Sequence, residues 1–395
     1  MGITAHVGSS PTPGTMEFID TLRRLKKRLS PHRPLVEVGI SKANLLHNLH
    51  TYQERYQNVL IAPVLKSNAY GHDLGLIARL LDKEDIAFFM VDSLYEATRL
   101  RGAGVKSRIV IMGYVRPLDP ERSRLRDIDF AITDIEQLRD ISELLTRPAR
   151  FHLKIDTGMH RQGILPSDLA LAIELIKKNT NINLVGIGSH LADADGADDA
   201  FSTAQVETWS EAVAEVERSI PTIEYRHIAA TKGVRFGEAT RTNVARIGIG
   251  LYGFDTSHHG EAKVKPVLEL RSFITSIRDI PEGDHVGYNA TFTALRSSRI
   301  ATVPVGYFEG YDRRLSGKGA MRVRGMNASV AGRISMNMSS LDVTEVSDVA
   351  RSDVVTVLSR DPSHPNSIQN LATLCGTIPY ELLVHIPQHL RRVVE

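Results

Sequence analysis

The chain has 395 residues and a formal net charge of +2, from 48 Lys and Arg against 46 Asp and Glu. Hydrophobic residues make up 42% and charged residues 24%, which excludes a fibrous or largely disordered chain and allows a large core. The balanced charge gives no overall attraction to nucleic acid or anionic membranes, and a single cysteine, Cys375, excludes a disulfide framework.

Residues 1–33 precede the folded body. The first fifteen are rich in Gly, Ser, Thr and Pro, which predicts a flexible leader without an apolar signal core. Residues 16–30 space their apolar side chains as on one helical face beside a basic run, which predicts a solvated helix or, alternatively, a membrane-surface helix. No run of about 18 apolar residues occurs, so we expect no spanning helix and a cytoplasmic protein.

From residue 34 to 262, short apolar runs alternate with amphipathic stretches. The runs are LVEVGI (35–40), VLIAPVLK (59–66), IAFFMV (86–91), RIVIMGY (108–114), DFAIT (129–133), FHLKID (151–156), LVGIGSH (184–190), YRHIAA (225–230) and ARIGIGLYG (245–253). Apolar strands that alternate with helices indicate a parallel sheet covered by helices. About eight units favour a closed (β/α)8 TIM-like barrel over an open α/β sheet.

Residues 263–395 have a different sequence pattern. Stretches such as VLELRSFITSIRDI (267–280), SRIATVPVGY (298–307) and DVVTVLS (353–359) are rich in strand-forming residues and separated by Gly and Asn turns. Alternation of apolar Met321 and Val323 with Arg322 and Arg324 is typical of a half-buried strand. We predict a separate, mostly antiparallel β domain.

Lys66 is the first candidate for chemistry. It lies in PVLKSNAYGH (63–72), directly after an apolar strand, and therefore at the carboxyl end of a barrel strand where barrel enzymes place their active sites. An amine at the end of an apolar strand is well placed for Schiff-base formation. A lysine at such a position can also be an ordinary surface residue, and other motifs decide between the two interpretations.

Six motifs in sequence resemble those of the alanine racemase family. They are VLKSNAYGH (64–72), KIDTGMHRQG (154–163), SHLADAD (189–195), ARIGIGLYG (245–253), VGYNATFT (286–293), and VGYFEGY (305–311) followed by GRISMN (332–337). The resemblance covers roughly residues 34–385. It implies a barrel plus β domain, pyridoxal 5′-phosphate as cofactor, a homodimer with shared active sites, and isomerase activity on alanine that makes D-alanine for the cell wall.

The resemblance also implies a role for individual residues. Two groups exchange the α-proton of the amino acid on opposite faces: Lys66 and Tyr288 of the partner subunit. Arg161 and Met336 bind the substrate carboxylate, and no metal is implied. The positions that match the family's cofactor-binding residues are Lys66, Tyr70, His190, Thr231, Arg246, Gly248 and Ile249. Lys154 matches a lysine that some members carry as a carbamate beside Arg161.

Three sites, four residues in all, depart from the family pattern. Ala230-Thr231 replaces an Asn-Ser pair, Asn337 replaces an aspartate, and Gln388 stands where a tyrosine is expected beside phosphate and substrate. These changes leave serine or a broader set of amino acids open as substrates.

Two different kinds of protein compete with the racemase interpretation. One is a decarboxylase of related architecture, which would carry a reactive cysteine motif in its β domain; Cys375 lies in LATLCGTIPYE instead. The second is a non-catalytic pyridoxal-phosphate homeostasis protein built on the barrel alone, which has no domain like that of residues 263–395.

Overall fold

The computed structural model describes residues 34–395 except Gln57, Asp195, Ala197, 234–235, 237–239 and 256–261. The helix predicted over residues 16–30 therefore lies outside the described residues. In the part that is described, no helix is both long enough and apolar enough to span a bilayer.

The first half of the described chain contains a closed barrel. Its parallel strands are β2 (Leu60–Pro63), β3 (Phe89–Val91), β4 (Ile109–Ile111), β5 (Ile128–Ile132), β6 (Ala149–Lys154), β7 (Ile182–Gly188), β8 (Tyr225–His227) and β9 (Val244–Ile247). Strands β3 to β8 pair in chain order, and β2 pairs with β9. Parallel bridges between Val64 and Met90 and between Ala230 and Arg246 join the two sets. The ring of strands thus closes, which confirms the predicted barrel.

Helices cover the barrel between its strands. They are α1 (Lys42–Arg55), α2 (Leu74–Leu81), α3 (Leu94–Gly102), α4 (Asp119–Arg122), α5 (Ile135–Leu144), α6 (Leu169–Lys178) and α7 (Ala200–Ser219). Several begin where a side chain accepts a backbone N–H that the helix itself cannot pair: Ser41 caps α1, Ser93 caps α3 and Asp134 caps α5.

The second half is mostly a large antiparallel sheet. Its strands from this half are β10 (Leu268–Phe273), β11 (Ser276–Ile280), β14 (Ser298–Val303), β15 (Ala320–Val323), β16 (Met326–Val330), β17 (Ser339–Asp342), β18 (Val354–Leu358) and β19 (Arg391–Val394). Strands β12 (His285–Val286) and β13 (Phe292–Thr293) pair with each other in a separate two-stranded sheet. Two helices, α8 (Ile368–Cys375) and α9 (Pro379–Val384), follow β18. The β15–β16 hairpin turns at Arg324 and Gly325, both with positive φ as such a turn requires.

One strand predicted for the barrel lies elsewhere. The run LVEVGI (35–40) contains β1 (Glu37–Ile40), which pairs antiparallel with β10 and parallel with β19 in the large sheet. The expectation that this run begins the barrel is wrong, and the barrel begins at β2. The chain therefore crosses from the large sheet to the barrel after its first strand, and the domain boundaries at 34–262 and 263–395 stay predictions.

Candidate active site

A cavity of about 950 Å³ opens at the carboxyl ends of the barrel strands. This is the end at which barrel enzymes carry their active sites, because the loops that follow the strands converge there. The cavity is lined by every residue of the barrel half that the sequence singles out: Lys66, Tyr70, Lys154, Arg161, His190, Thr231, Arg246, Gly248 and Ile249. The structure thus brings together residues that are far apart in sequence.

Lys66 begins an unusual turn. Four consecutive residues after it, 67–70, have φ between 51° and 56°, so the chain makes one turn of left-handed helix. For L-residues this conformation costs about 1–2 kcal/mol each, so surrounding contacts must hold it. The Glu96 carboxylate accepts the Asn68 backbone N–H at 3.3 Å, and the Asn68 side chain accepts the Leu74 N–H at 3.0 Å. The turn places Lys66 and Tyr70 on the same cavity wall.

The other end of this turn is held by the C-terminal region. Gly71 has φ of +83°, and a Cβ there would lie 2.0 Å from the Leu383 carbonyl oxygen. Its own carbonyl accepts a hydrogen bond from Arg392 Nη2 at 2.8 Å. Glycine is therefore required at position 71 for both conformation and space.

Hydroxyl and backbone N–H groups gather where the sequence predicts a phosphate site. Thr231 Oγ1 accepts the Gly248 N–H at 3.2 Å, and a Cβ at Gly248 would lie 2.6 Å from the Tyr70 hydroxyl oxygen. Burial raises the pKa of Tyr70 well above its ordinary value of 10, so this hydroxyl stays protonated and can donate. A small group of neutral donors without a carboxylate suits a phosphate. The donors present thus fit the phosphate of the predicted cofactor.

Arg246 and His190 form part of the cavity floor. Arg246 is 7% exposed and donates to His190 Nδ1 at 2.9 Å and to the carbonyls of Ser189 and Ile228 at 2.7 and 3.0 Å. Burial first, and then the charges of Arg246 and other cations, lower the pKa of His190 to about 3. His190 is therefore a neutral ring that accepts at Nδ1 beside the cavity.

Lys154 and Arg161 add positive charge to the cavity wall. Burial, followed by the charges of Arg161, Arg246 and Lys66, lowers the pKa of Lys154 to about 8, while Asp156 acts in the opposite direction. Lys154 Nζ donates to the Gln162 side-chain oxygen at 3.0 Å. Five Lys and Arg side chains line the cavity against the two carboxylates of Asp92 and Glu381. This excess of positive charge favours an anionic ligand, and both a phosphate and an amino-acid carboxylate meet that requirement.

Tyr288 and Met336 do not line this cavity. Both lie on the β half with 68% and 55% of their surface exposed, although the other predicted site residues are inside the barrel mouth. The aromatic and methionine side chains Tyr307, Phe308 and Met338 of the same half are also largely exposed. Exposed apolar side chains of this kind are typical of an interaction surface.

The residues that depart from the family pattern have different surroundings. Asn337 Nδ2 donates at 2.8 Å to Glu309, a buried carboxylate that also accepts the Gly306 N–H at 2.9 Å. A donor at position 337 therefore satisfies Glu309. Gln388 is exposed and does not line the cavity, whose lining from the C-terminal region includes Ile378, Tyr380 and Val384. Asp195, part of the third motif, lies outside the described residues.

Sequence reasoning missed three polar residues in the barrel interior. Asp129, His152 and His227 lie in β5, β6 and β8, and their side chains are almost fully buried. A signal was present, because each is a titratable residue within a predicted strand run: Asp129 in DFAIT, His152 in FHLKID and His227 in YRHIAA. In a closed barrel such a side chain points either at a covering helix or into the interior, and a buried polar group there must have a partner.

Comparisons with known proteins agree with this geometry. The family model "Alanine racemase, N-terminal domain" matches residues 40–256, and "Alanine racemase, C-terminal domain" matches residues 267–394. Alanine racemase of Syntrophobacter fumaroxidans is 36% identical over 356 residues, which are 88% of this chain and 94% of that one. Alanine racemase of Citrifermentans bemidjiense is 35% identical over 374 residues, or 91% and 98% of the two chains.

Solved structures show the same similarity in three dimensions. Alanine racemase from Bacillus anthracis superposes with a TM-score of 0.85 at 26% identity, over 93% of this chain and 96% of that one. Alanine racemase from E. faecalis gives a TM-score of 0.85 at 27% identity, over 93% and 99%. The similarity thus spans the barrel and the β half together.

Proposed function

Because the chain belongs to the alanine racemase family, we propose that it interconverts L- and D-alanine with pyridoxal 5′-phosphate held in the barrel cavity. The observation that carries the proposal is the convergence of Lys66, Arg246, Arg161 and the Tyr70–Thr231–Gly248 donor group on one cavity. These residues supply an amine, two guanidinium groups and a set of neutral donors for phosphate.

The chemistry follows from what these groups can do. When bound, pyridoxal phosphate supplies an electron sink for the pair left behind by the substrate α-proton. Lys66 holds the cofactor in the resting enzyme and then moves a proton at Cα on one face of the substrate. Tyr288 of the partner subunit moves a proton on the other face. Arg161 binds the substrate carboxylate by charge-assisted hydrogen bonds.

The other cofactor contacts are assigned by the same reasoning. Tyr70, Thr231 and the backbone of Gly248 and Ile249 bind the phosphate, and His190 packs against the ring. Among the residues that the structure describes, the hydrogen bonds of Arg246 come from its terminal nitrogens, so Nε can donate to the ring nitrogen. A permanently charged donor keeps that nitrogen unprotonated. The sink is then weaker, which favours return of the proton over side reactions.

We further propose that the active form is a homodimer. The exposed group formed by Tyr288, Tyr307, Phe308, Met336 and Met338 covers the second chain's cavity, and Met336 contributes its backbone N–H to the substrate carboxylate there. A two-fold assembly lets both chains exchange the same residues. The protein acts in the cytoplasm and supplies D-alanine for the cell wall.

The test is racemisation followed by circular dichroism with L-alanine, L-serine and L-lysine in parallel. We expect a clear preference for alanine. We expect Tyr288→Phe to lose about 10²- to 10⁴-fold in kcat while it retains cofactor absorbance. Tyr95→Phe is the matched control, because Tyr95 is equally exposed, at 66%, but lies on α3. It should keep full activity.

Three outcomes would count against the proposal. A fully active Tyr288→Phe variant would contradict the two-base assignment. Equal kcat/KM for the three amino acids would replace alanine with a broad substrate range. Cofactor binding without racemisation of any amino acid would favour a non-catalytic binding protein, against which the matched C-terminal domain now argues.

A further inference from the structure

Four polar side chains form a continuous row through the barrel interior. They are Asp129, His152, His227 and Arg246, which are 0, 2, 5 and 7% exposed. Asp129 Oδ2 is 3.3 Å from His152 Nε2, His152 Nδ1 is 2.8 Å from His227 Nε2, and His227 Nδ1 is 3.0 Å from Arg246 Nη1. The proposed function uses only the last member of this row.

The donor of each hydrogen bond can be deduced from Arg246. A guanidinium nitrogen only donates, so His227 Nδ1 must accept and its proton must be on Nε2. His227 Nε2–H then donates to His152 Nδ1, and the His152 proton must also be on Nε2. That proton is donated to the carboxylate of Asp129. A second proton on either ring would place two N–H groups face to face, so both histidines are neutral.

Charge explains why the row ends in a carboxylate. Within the described residues, no carboxylate lies in ion-pair range of Arg246, and burial followed by the charge of Arg161 lowers its pKa to about 10. Asp129 is firmly ionised although burial alone would raise its pKa. The His152 hydrogen bond and the charges of Arg108 and Arg150 outweigh burial and lower that pKa. The second carboxylate oxygen of Asp129, Oδ1, accepts hydrogen bonds from Arg108 Nη1 at 2.7 Å and from Arg150 Nε at 3.1 Å.

The barrel is built to leave room for the two rings. A Cβ on Gly186 would lie 2.3 Å from His152 Nδ1, and a Cβ on Gly188 would lie 2.3 Å from His227 Cε1. Neither glycine has a positive φ, so their backbone conformation does not require glycine. Phe88 and Tyr225 also pack on His152, with ring centroids at 5.6 and 5.8 Å. These contacts hold the rings in position.

We infer that Asp129, His152 and His227 are positioning residues that act through Arg246: they fix its guanidinium at the cofactor site and link it to a buried negative charge two imidazole rings away. The inference rests on the proposed function for its consequence in catalysis, but its structural content does not. The hydrogen bonds of the two histidine rings lead to Asp129, to each other and to Arg246. Their effect on the site therefore travels through hydrogen-bond direction and charge.

The first measurement is the tautomeric state of the two histidines. Cofactor-free protein labelled with nitrogen-15 in histidine is recorded by long-range proton–nitrogen NMR from about pH 5 to pH 8, the range in which an ordinary histidine titrates. We expect each of the two rings to carry its proton on Nε2, as the hydrogen-bond directions require. An imidazolium at His152, or a proton on Nδ1 of His227, would overturn the inference without any variant or activity assay.

The second measurement compares Asp129→Asn with Asp127→Asn. Asparagine keeps an acceptor for His152 but removes the charge. Asp127 also bonds Arg108, at 3.4 Å, but lies outside the row and is exposed, which makes it the matched control. We expect Asp129→Asn to shift the His227 signals and to lower kcat about threefold to thirtyfold, with KM for alanine within about twofold. Asp127→Asn should do neither.

The outcomes separate this inference from the proposed function. If Asp129→Asn shows the same His227 signals as the wild-type protein, the inference is overturned. A carboxylate that serves only for packing would leave these signals unchanged. An unchanged kcat beside shifted signals would overturn the link to catalysis. If wild-type protein shows the expected tautomers but racemises nothing, the hydrogen-bond row stands and the proposed function fails.

Discussion

The surroundings of Lys154 disfavour its positive charge. Its pKa of about 8 lies below the ordinary 10.5 because the side chain is largely buried and has three cationic neighbours. In the unfolded chain the same lysine keeps its proton up to about pH 10.5. Below pH 8 the charge of Lys154 therefore lowers the unfolding free energy by its full amount. This destabilisation becomes smaller as pH rises from about 8 to 10.5.

Replacement of Lys154 by glutamine should accordingly stabilise the cofactor-free protein at pH 7. Glutamine removes the charge and can still bond Gln162, so we expect a gain of about 1–3 kcal/mol in unfolding free energy. The gain should shrink toward zero near pH 10.5. Urea unfolding at both pH values measures it, with the exposed Lys83→Gln as control. A loss of stability at pH 7 would contradict a free amine and favour an anionic form such as the carbamate.

Asn337 is explained by its neighbour. Asn337→Asp would put a second carboxylate against buried Glu309 and remove the 2.8 Å hydrogen bond. We expect a loss of about 2–3 kcal/mol at neutral pH, which becomes smaller in acid as one carboxyl group takes up a proton. Thermal unfolding would measure it. Glu309→Gln should rescue this variant, since its amide can accept from Gly306 and donate to the aspartate. No rescue would contradict the pairing.

Among the elements, the left-handed turn at residues 67–70 is held by packing and hydrogen bonds against its own preference. Asn68→Val should cost about 2–3 kcal/mol, from strain at φ of 56° and from the lost acceptor for Leu74 N–H. Asn68→Gly loses the acceptor without the strain and should cost about 1 kcal/mol. Denaturant midpoints of the two variants measure the difference. Equal midpoints would show that the turn is not strained.

The strands show how much of the fold can be predicted from the sequence. The barrel strands β2 to β9 follow from apolar runs that alternate with helices, because burial on both faces leaves a continuous apolar signal. The run at 35–40 looks alike, yet β1 belongs to the large sheet. Its partners β10 and β19 lie more than 200 residues later, and local composition does not encode which distant strand supplies the hydrogen bonds.

Among the site residues, those in a motif could be predicted from the sequence, whereas those whose role depends on tertiary packing could not. Lys66, Arg161 and Arg246 could be singled out because their motifs are long and specific. Asp129, His152 and His227 lack a motif, and their relation depends on which strand faces are interior. The left-handed turn after Lys66 could not be predicted from the sequence either, since Ser, Asn, Ala and Tyr have no common preference for positive φ.

At the scale of the whole molecule, the two halves of the chain hold different parts of one proposed site. The cavity lies in the barrel, whereas Tyr288 is 68% exposed on the β half. If each cavity receives Tyr288 from its partner, then Lys66 and Tyr288 of one chain work in different cavities. Variants of these two residues should therefore complement each other, which is impossible for two residues that work in one cavity of the same chain.

We expect Lys66→Ala and Tyr288→Phe homodimers each to be nearly inactive, and a randomly reassembled equal mixture to recover about a quarter of wild-type activity. Half of the mixed dimers pair unlike chains, and each such dimer has one cavity with both residues intact. Lys66→Ala mixed with Arg246→Ala is the control, because both residues belong to the barrel and no intact cavity can form. A Lys66–Tyr288 mixture that stays as inactive as this control would place both residues in the same chain's site and refute the shared cavity.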